Sequence, residues 1–168
     1  MIKKLLFAFL LVVGLAFAGV CWADDYSEEL AKLEAKAATG DLEVISQLIS
    51  IYQPGRGGVP KNPEKVLALM QQAADLGQIG YQKNLAMIYY TGKMTYNLDF
   101  VIEKDFAKAR ALYEKAALLG DSGAMYFLAE MYEKGEGGDK DLGKAKEWYQ
   151  TSCDKGFTDS CNKVSALK

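Results

Sequence analysis

The sequence predicts an all-α solenoid of about three helix-turn-helix repeats with terminal capping helices. The segment Ala73-Ala74-Asp75-Leu76-Gly77 returns as Ala116-Ala117-Leu118-Leu119-Gly120 and again as Ser152-Cys153-Asp154-Lys155-Gly156. With a fainter copy at Ala37-Ala38-Thr39-Gly40, the four glycines stand 37, 43 and 36 residues apart. Other landmarks keep the same steps: Tyr52, Tyr89 and Tyr132; Leu48, Leu85 and Leu128; Lys65, Lys108 and Lys144; Leu69, Leu112 and Trp148. Each copy also holds two apolar stretches with helical spacing, and units of this kind bury their faces only by stacking on one another.

A first helix over 26–38 forms an N-terminal cap within 24–40. The repeats then run over about 41–77, 78–120 and 121–156, with helices near 41–52 and 63–76, 79–91 and 104–119, and 122–134 and 141–155. In the third repeat Ala124, Leu128, Met131 and Tyr132 share one helix face, and Ala145, Trp148, Tyr149 and Ser152 share another. Gly135-Glu136-Gly137-Gly138-Asp139 is the turn between them, since glycine takes positive φ freely. Gly77, Gly120 and Gly156 stand where a glycine ends a helix. A last helix near 159–167 caps the C-terminal end, within 158–167.

These residues together resemble the Sel1-like repeat family of tetratricopeptide-like α/α solenoids. The third copy matches best, through Ala124, Leu128, Ala129, Tyr132, Gly135, Lys144, Ala145, Trp148, Tyr149 and Gly156. The first copy departs in its first helix, with Val44 and Ile49 at small-residue positions, and the second has Tyr81 where alanine is usual. The resemblance covers roughly residues 38–168 and implies a scaffold that binds other proteins, a fold-level expectation open to many partners.

Residues 1–23 read as a signal peptide: Lys3 and Lys4, an apolar run from Leu5 to Phe17, then Cys21-Trp22-Ala23 as the exit. The expected cut follows Ala23, with Ala16-Phe17-Ala18 a second site. Left uncut, Leu5 to Ala23 is a membrane anchor; Cys21 is a lipidation candidate, although Val20 departs from the lipobox. Each reading exports the chain to the periplasm or the medium, and the last two add membrane attachment. Beyond Ala23 the chain carries 18 basic and 22 acidic residues and no basic run, which argues against a nucleic-acid partner.

Cys153 and Cys161 are the cysteines left after the signal, eight apart across Gly156. Antiparallel helices joined by a short turn bring such a pair into disulfide range, and the family resemblance implies the same pairing. A reactive thiol pair is the alternative. The second repeat also has about six extra residues between its helices, over Gly92–Glu103. Their apolar members Met94, Tyr96, Leu98 and Phe100 either fold back onto the scaffold or form a projecting recognition loop.

The chain has no histidine, which removes Ser-His-Asp and Cys-His catalysis and histidine-ligated metals. Gly120-Asp121-Ser122-Gly123 is therefore a turn and helix cap rather than a nucleophile motif. No cofactor or metal is expected. In the superfamily the first helix of each pair lines the inner surface. With Leu48, Leu85 and Leu128 as equivalent core sites, the groove positions are Ser46, Ser50 and Gln53; Lys83, Met87 and Tyr90; and Tyr126, Glu130 and Glu133. Met87, Tyr90 and Tyr126 are expected to form an aromatic cluster rimmed by Lys83 and the two glutamates. The functional expectation is an exported, non-catalytic module that grips a partner protein. Two alternatives stand beside it: an inhibitor of a toxin or envelope enzyme, and an envelope hydrolase working through Glu130 and Glu133.

Overall fold

The computed structural model describes residues 18–94 and 97–167. Eight helices stand in this part: α1 (Ala18–Ala37), α2 (Leu42–Tyr52), α3 (Pro63–Asp75), α4 (Ile79–Thr91), α5 (Phe106–Leu118), α6 (Ser122–Lys134), α7 (Leu142–Asp154) and α8 (Thr158–Ala166). The expected leader lies mostly outside the described residues. α1 starts eight residues before the helix expected over 26–38. Among the described residues no helix is long and apolar enough to cross a membrane.

Local chemistry sets the helix starts. Asp41, Asn62, Asp105, Asp121 and Asp141 each accept a hydrogen bond from a backbone N–H in the first turn they precede. Glycines in the left-handed region stand at or shortly after most helix ends, such as Gly92 at φ 74° and Gly135 at φ 76°. Each helix packs on its neighbours in sequence, so the molecule is a stack of hairpins. Leu48, Leu85 and Leu128 are buried at 1%, 0% and 0% exposure, as their shared register predicts. In every repeat the landmark tyrosine meets the landmark lysine: Lys65, Lys108 and Lys144 hold Nζ 4.7, 5.2 and 5.4 Å from the ring centroids of Tyr52, Tyr89 and Tyr132.

The insertion is not a featureless loop. It forms an antiparallel hairpin of β1 (Lys93–Met94) and β2 (Asn97–Val101), with Lys93 opposite Val101 and Met94 opposite Asn97. The alternation Met94-x-Tyr96-x-Leu98-x-Phe100 was a strand signal of period two that the helical reading passed over. The hairpin base closes on Gly92, whose carbonyl accepts from the Ile102 N–H at 2.9 Å. Met94 is 2% exposed, and Phe100 is half-buried against the core. That corrects the recognition-loop expectation for Met94, which is a core residue. Tyr96 and the side chain of Leu98 lie outside the described residues.

At the C-terminal end Cys153 and Cys161 are joined in a disulfide across a Cα–Cα distance of 4.8 Å, tying α7 to α8. Beside it Ser160 donates to Ser152 and Ser152 to the Ser122 carbonyl, each at 2.7 Å.

Candidate functional site

The first helices α2, α4 and α6 present the expected groove positions, and the structure sorts them into three groups. On α2, Ser46 and Ser50 are exposed, and the Ser46 hydroxyl lies 3.1 Å from that of Tyr81 on α4. Gln53 joins Ile49, Tyr81 and Asn84 in lining a hollow of about 360 Å³ between α2 and α4, with buried Met94 as part of its wall.

On the other side of α4 lies a larger hollow of about 510 Å³, bounded by Lys83, Asn84, Met87, Thr91, Lys93, Tyr113 and Phe127. A narrow recess of about 50 Å³ shares Met87, Tyr113 and Phe127 with it, and adds Tyr90, Glu130 and Met131. Asn84 borders both hollows, so it stands on the ridge between them. The Phe127 ring stacks on Tyr113 at 5.3 Å between centroids and forms an aromatic floor. At the rim Lys83 pairs with Asp121 at 3.0 Å, while Lys93 has no ion pair among the described residues.

Tyr126 meets this group only at its edge, its ring packed edge-on against Phe127 at 5.5 Å between centroids. Its ring lies 5.6 Å from Tyr149 and 5.3 Å from Phe157, toward the capping helix. Met87 and Tyr90 of the expected cluster line the recess together, while Tyr126 reaches it only through Phe127. Tyr126 stands two residues before its core leucine and Tyr90 five after, a difference of roughly 10 Å of helix rise along the groove.

Glu130 and Glu133 form the third group, held by α8. Lys163 lies 3.1 Å from Glu133 and 3.8 Å from Glu130, and the Tyr149 hydroxyl donates to Glu133 at 2.7 Å. Burial pushes the Glu133 carboxyl up, but the hydrogen bonds from Tyr149 and Lys163 outweigh it and hold the group below the usual glutamate range. A carboxylate kept ionised in this way accepts hydrogen bonds and is poorly placed to act as a general acid. No cluster of His, Cys, Asp and Glu among the described residues is arranged to hold a metal ion.

Sequence reasoning missed Tyr113, Phe127, Asn84 and Lys93. Tyr113 belongs to a second helix, outside the set searched for groove residues, although its place one residue after the Leu69–Leu112–Trp148 landmark marked it as a core tyrosine.

The chain is similar to several known proteins. The Sel1 repeat model matches residues 50–78, 81–121 and 122–157. The Sel1-repeat-containing protein YjcO of Escherichia coli K12 is 26% identical over 149 residues, which span 85% of this chain and 62% of that protein. The chain thus spans less than two thirds of the curated relatives it matches. A Sel1 repeat protein from Oxalobacter formigenes superposes with a TM-score of 0.66 at 29% identity, covering 82% of this chain and 98% of that one. Helicobacter pylori cysteine rich protein B superposes at 0.54 with 23% identity over 73% of this chain and 93% of its own, which speaks to fold alone. The Sel1 repeat model matches all three repeats over more than half of the chain, and the chain belongs to the Sel1 repeat proteins.

Proposed function

We propose that this chain is an exported, non-catalytic interaction module that holds an extended segment of a partner protein across α4, on the face made by its first helices. Sel1 repeat proteins are typically protein–protein interaction modules. The observation that carries the reading further is the uncovered hollow with an aromatic floor between α4, α5 and α6, bordered by polar side chains. Asn84 on the ridge supports an extended occupant: its exposed side-chain amide offers both a donor and an acceptor to a crossing peptide group. Export is supported by the apolar segment after Lys3 and Lys4 and by a disulfide that persists in oxidising compartments.

The test is a capture from envelope and culture-supernatant proteins with two baits, the parent chain and Met87→Lys, which fills the hollow with a charged side chain. The expected result is a partner retained by the parent and lost by the variant, with both melting alike. Retention by both baits would move the contact off this face.

A further inference from the structure

Tyr113 and Tyr149 occupy the same register position, seven residues before the glycines Gly120 and Gly156. Both side chains are buried, at 2% and 0% exposure. In the third repeat the Tyr149 hydroxyl donates to the Glu133 carboxylate at 2.7 Å. In the second repeat the position equivalent to Glu133 is Tyr90, thirteen residues after Gly77 as Glu133 is after Gly120. That position therefore supplies no carboxylate. Among the described residues the Tyr113 hydroxyl finds only the Met87 sulfur, at 4.0 Å, a weak acceptor. Burial, then the charges near it, push this phenol far above the usual tyrosine range, so it stays a donor.

Buried donors are nearly always matched by an acceptor. The Tyr113 side chain lines both the hollow and the recess behind it. Among the described residues no acidic side chain lines the hollow, and Lys83 and Lys93 stand at its rim. Glu130 lines only the inner recess and shares its charge with Lys163 and the Tyr126 hydroxyl. Lys134, 3.4 Å from the Tyr90 hydroxyl, has Glu130 and Glu136 close by. Among the described residues, the groups of the lining side chains left without a strong partner are thus the Tyr113 hydroxyl, the Lys93 ammonium and the Asn84 amide, and a carboxylate oxygen suits the first two.

We propose that the hollow binds an acidic side chain of an extended partner segment, its carboxylate accepting from Tyr113 as Glu133 accepts from Tyr149. Lys93 faces the same carboxylate from the rim, and a large apolar neighbour on the segment rests on Met87 and Phe127. This rests on the groove reading above and adds the chemistry of the occupant.

The probe is a random dodecapeptide phage library selected on the immobilised full chain. The leading peptides are then synthesised and titrated against the parent chain, Tyr113→Phe, Lys93→Glu and Met87→Lys. Enriched sequences are expected to carry Asp or Glu within two residues of Leu, Phe or Met. Binding should fall about tenfold or more in Tyr113→Phe and in Lys93→Glu. Replacing the acid by its amide should cost the parent a similar factor and cost Tyr113→Phe little, which a merely structural role for the hydroxyl would not produce. Thermal melts of Tyr113→Phe confirm that the fold is kept. Peptides lost by Met87→Lys but indifferent to Tyr113→Phe and to the amide overturn the carboxylate assignment and leave the groove standing. No enrichment, or binding that Met87→Lys does not change, overturns both.

Discussion

The guanidinium of Arg110 lies over the ring of Tyr132, 3.7 Å from its centroid, and so joins the second helix of one repeat to the first helix of the next. Its Nη1 also reaches the Asp139 carbonyl at 3.5 Å, in the turn after α6. That turn is pressed against the start of α5. A Cβ added to Gly137 would lie 2.2 Å from the Phe106 carbonyl oxygen, and Gly137 has φ 75°. Gly137→Ala therefore meets both a steric clash and a left-handed backbone, and is expected to cost about 2 kcal/mol or more. Arg110→Lys keeps the charge but loses the flat stack, and should cost up to about 1 kcal/mol. Denaturant melts that left Gly137→Ala at parent stability would refute the close approach.

A buried hydroxyl chain closes the C-terminal end of the stack. Ser152 and Ser160, both 0% exposed, occupy the register positions of the buried alanines Ala116 and Ala124. Ser152→Ala strands the Ser160 hydroxyl without its acceptor, and should cost about 1–3 kcal/mol. The paired change Ser152→Ala with Ser160→Ala restores the alanine pattern of the preceding repeat and should be nearly neutral. A double-mutant cycle by urea melts measures the coupling; additive losses would refute it.

How much of this was legible follows from what kind of signal each residue gives. Core leucines recur at the repeat step, so Leu48, Leu85 and Leu128 announced themselves in one sequence; the landmark tyrosines and lysines did too, but that they pair is seen only in the structure. The disulfide was legible because the repeat placed Cys153 and Cys161 on either side of a helix-ending glycine. The hairpin was not read, because it interrupts a helical pattern and its two-residue period spans only a few positions. The hollow was half legible: register put Met87 and Lys83 on one face, but the aromatic floor takes Tyr113 from a second helix. Which second-helix side chain reaches through the layer depends on packing between repeats, and no spacing within one repeat encodes that. The same limit separated Tyr126 from Met87, since register fixes a face of the helix and leaves open the height along it.

The disulfide closes a short loop around the Gly156 turn and fastens the capping helix. In the chain-entropy account a loop of this size contributes about 2.5 kcal/mol. The double change Cys153→Ser with Cys161→Ser should lower stability by up to that amount, and dithiothreitol should lower the parent alike while leaving the double variant unmoved. Because α8 carries Lys163 to Glu130 and Glu133, the loss should be larger when combined with Lys163→Ala than the two separate losses predict. Equal melting of oxidised and reduced parent would show that the remaining α8 contacts hold the cap without the bond.

At the opposite end, α1 is fastened by Glu34, which accepts hydrogen bonds from both Lys65 and the Tyr52 hydroxyl. The Lys65 bond first, then the Tyr52 bond, hold the Glu34 carboxyl below the ordinary glutamate value of 4.5. A carboxyl depressed on folding contributes stability that is fully present above its unfolded value and is lost as the pH falls through the folded one. The parent should therefore melt above Glu34→Gln at pH 7, and the gap should narrow as the pH falls below 4.5. Exposure to solvent keeps the contribution modest and salt-sensitive, so 1 M sodium chloride at pH 7 should shrink the same gap. The paired lysine shows the same contact from its own side: the Glu34 bond leads the causes that push the Lys65 ammonium up. A gap between parent and Glu34→Gln that stayed constant from pH 7 to pH 3 would mean that Glu34 holds α1 through packing alone, with no contribution from its charge.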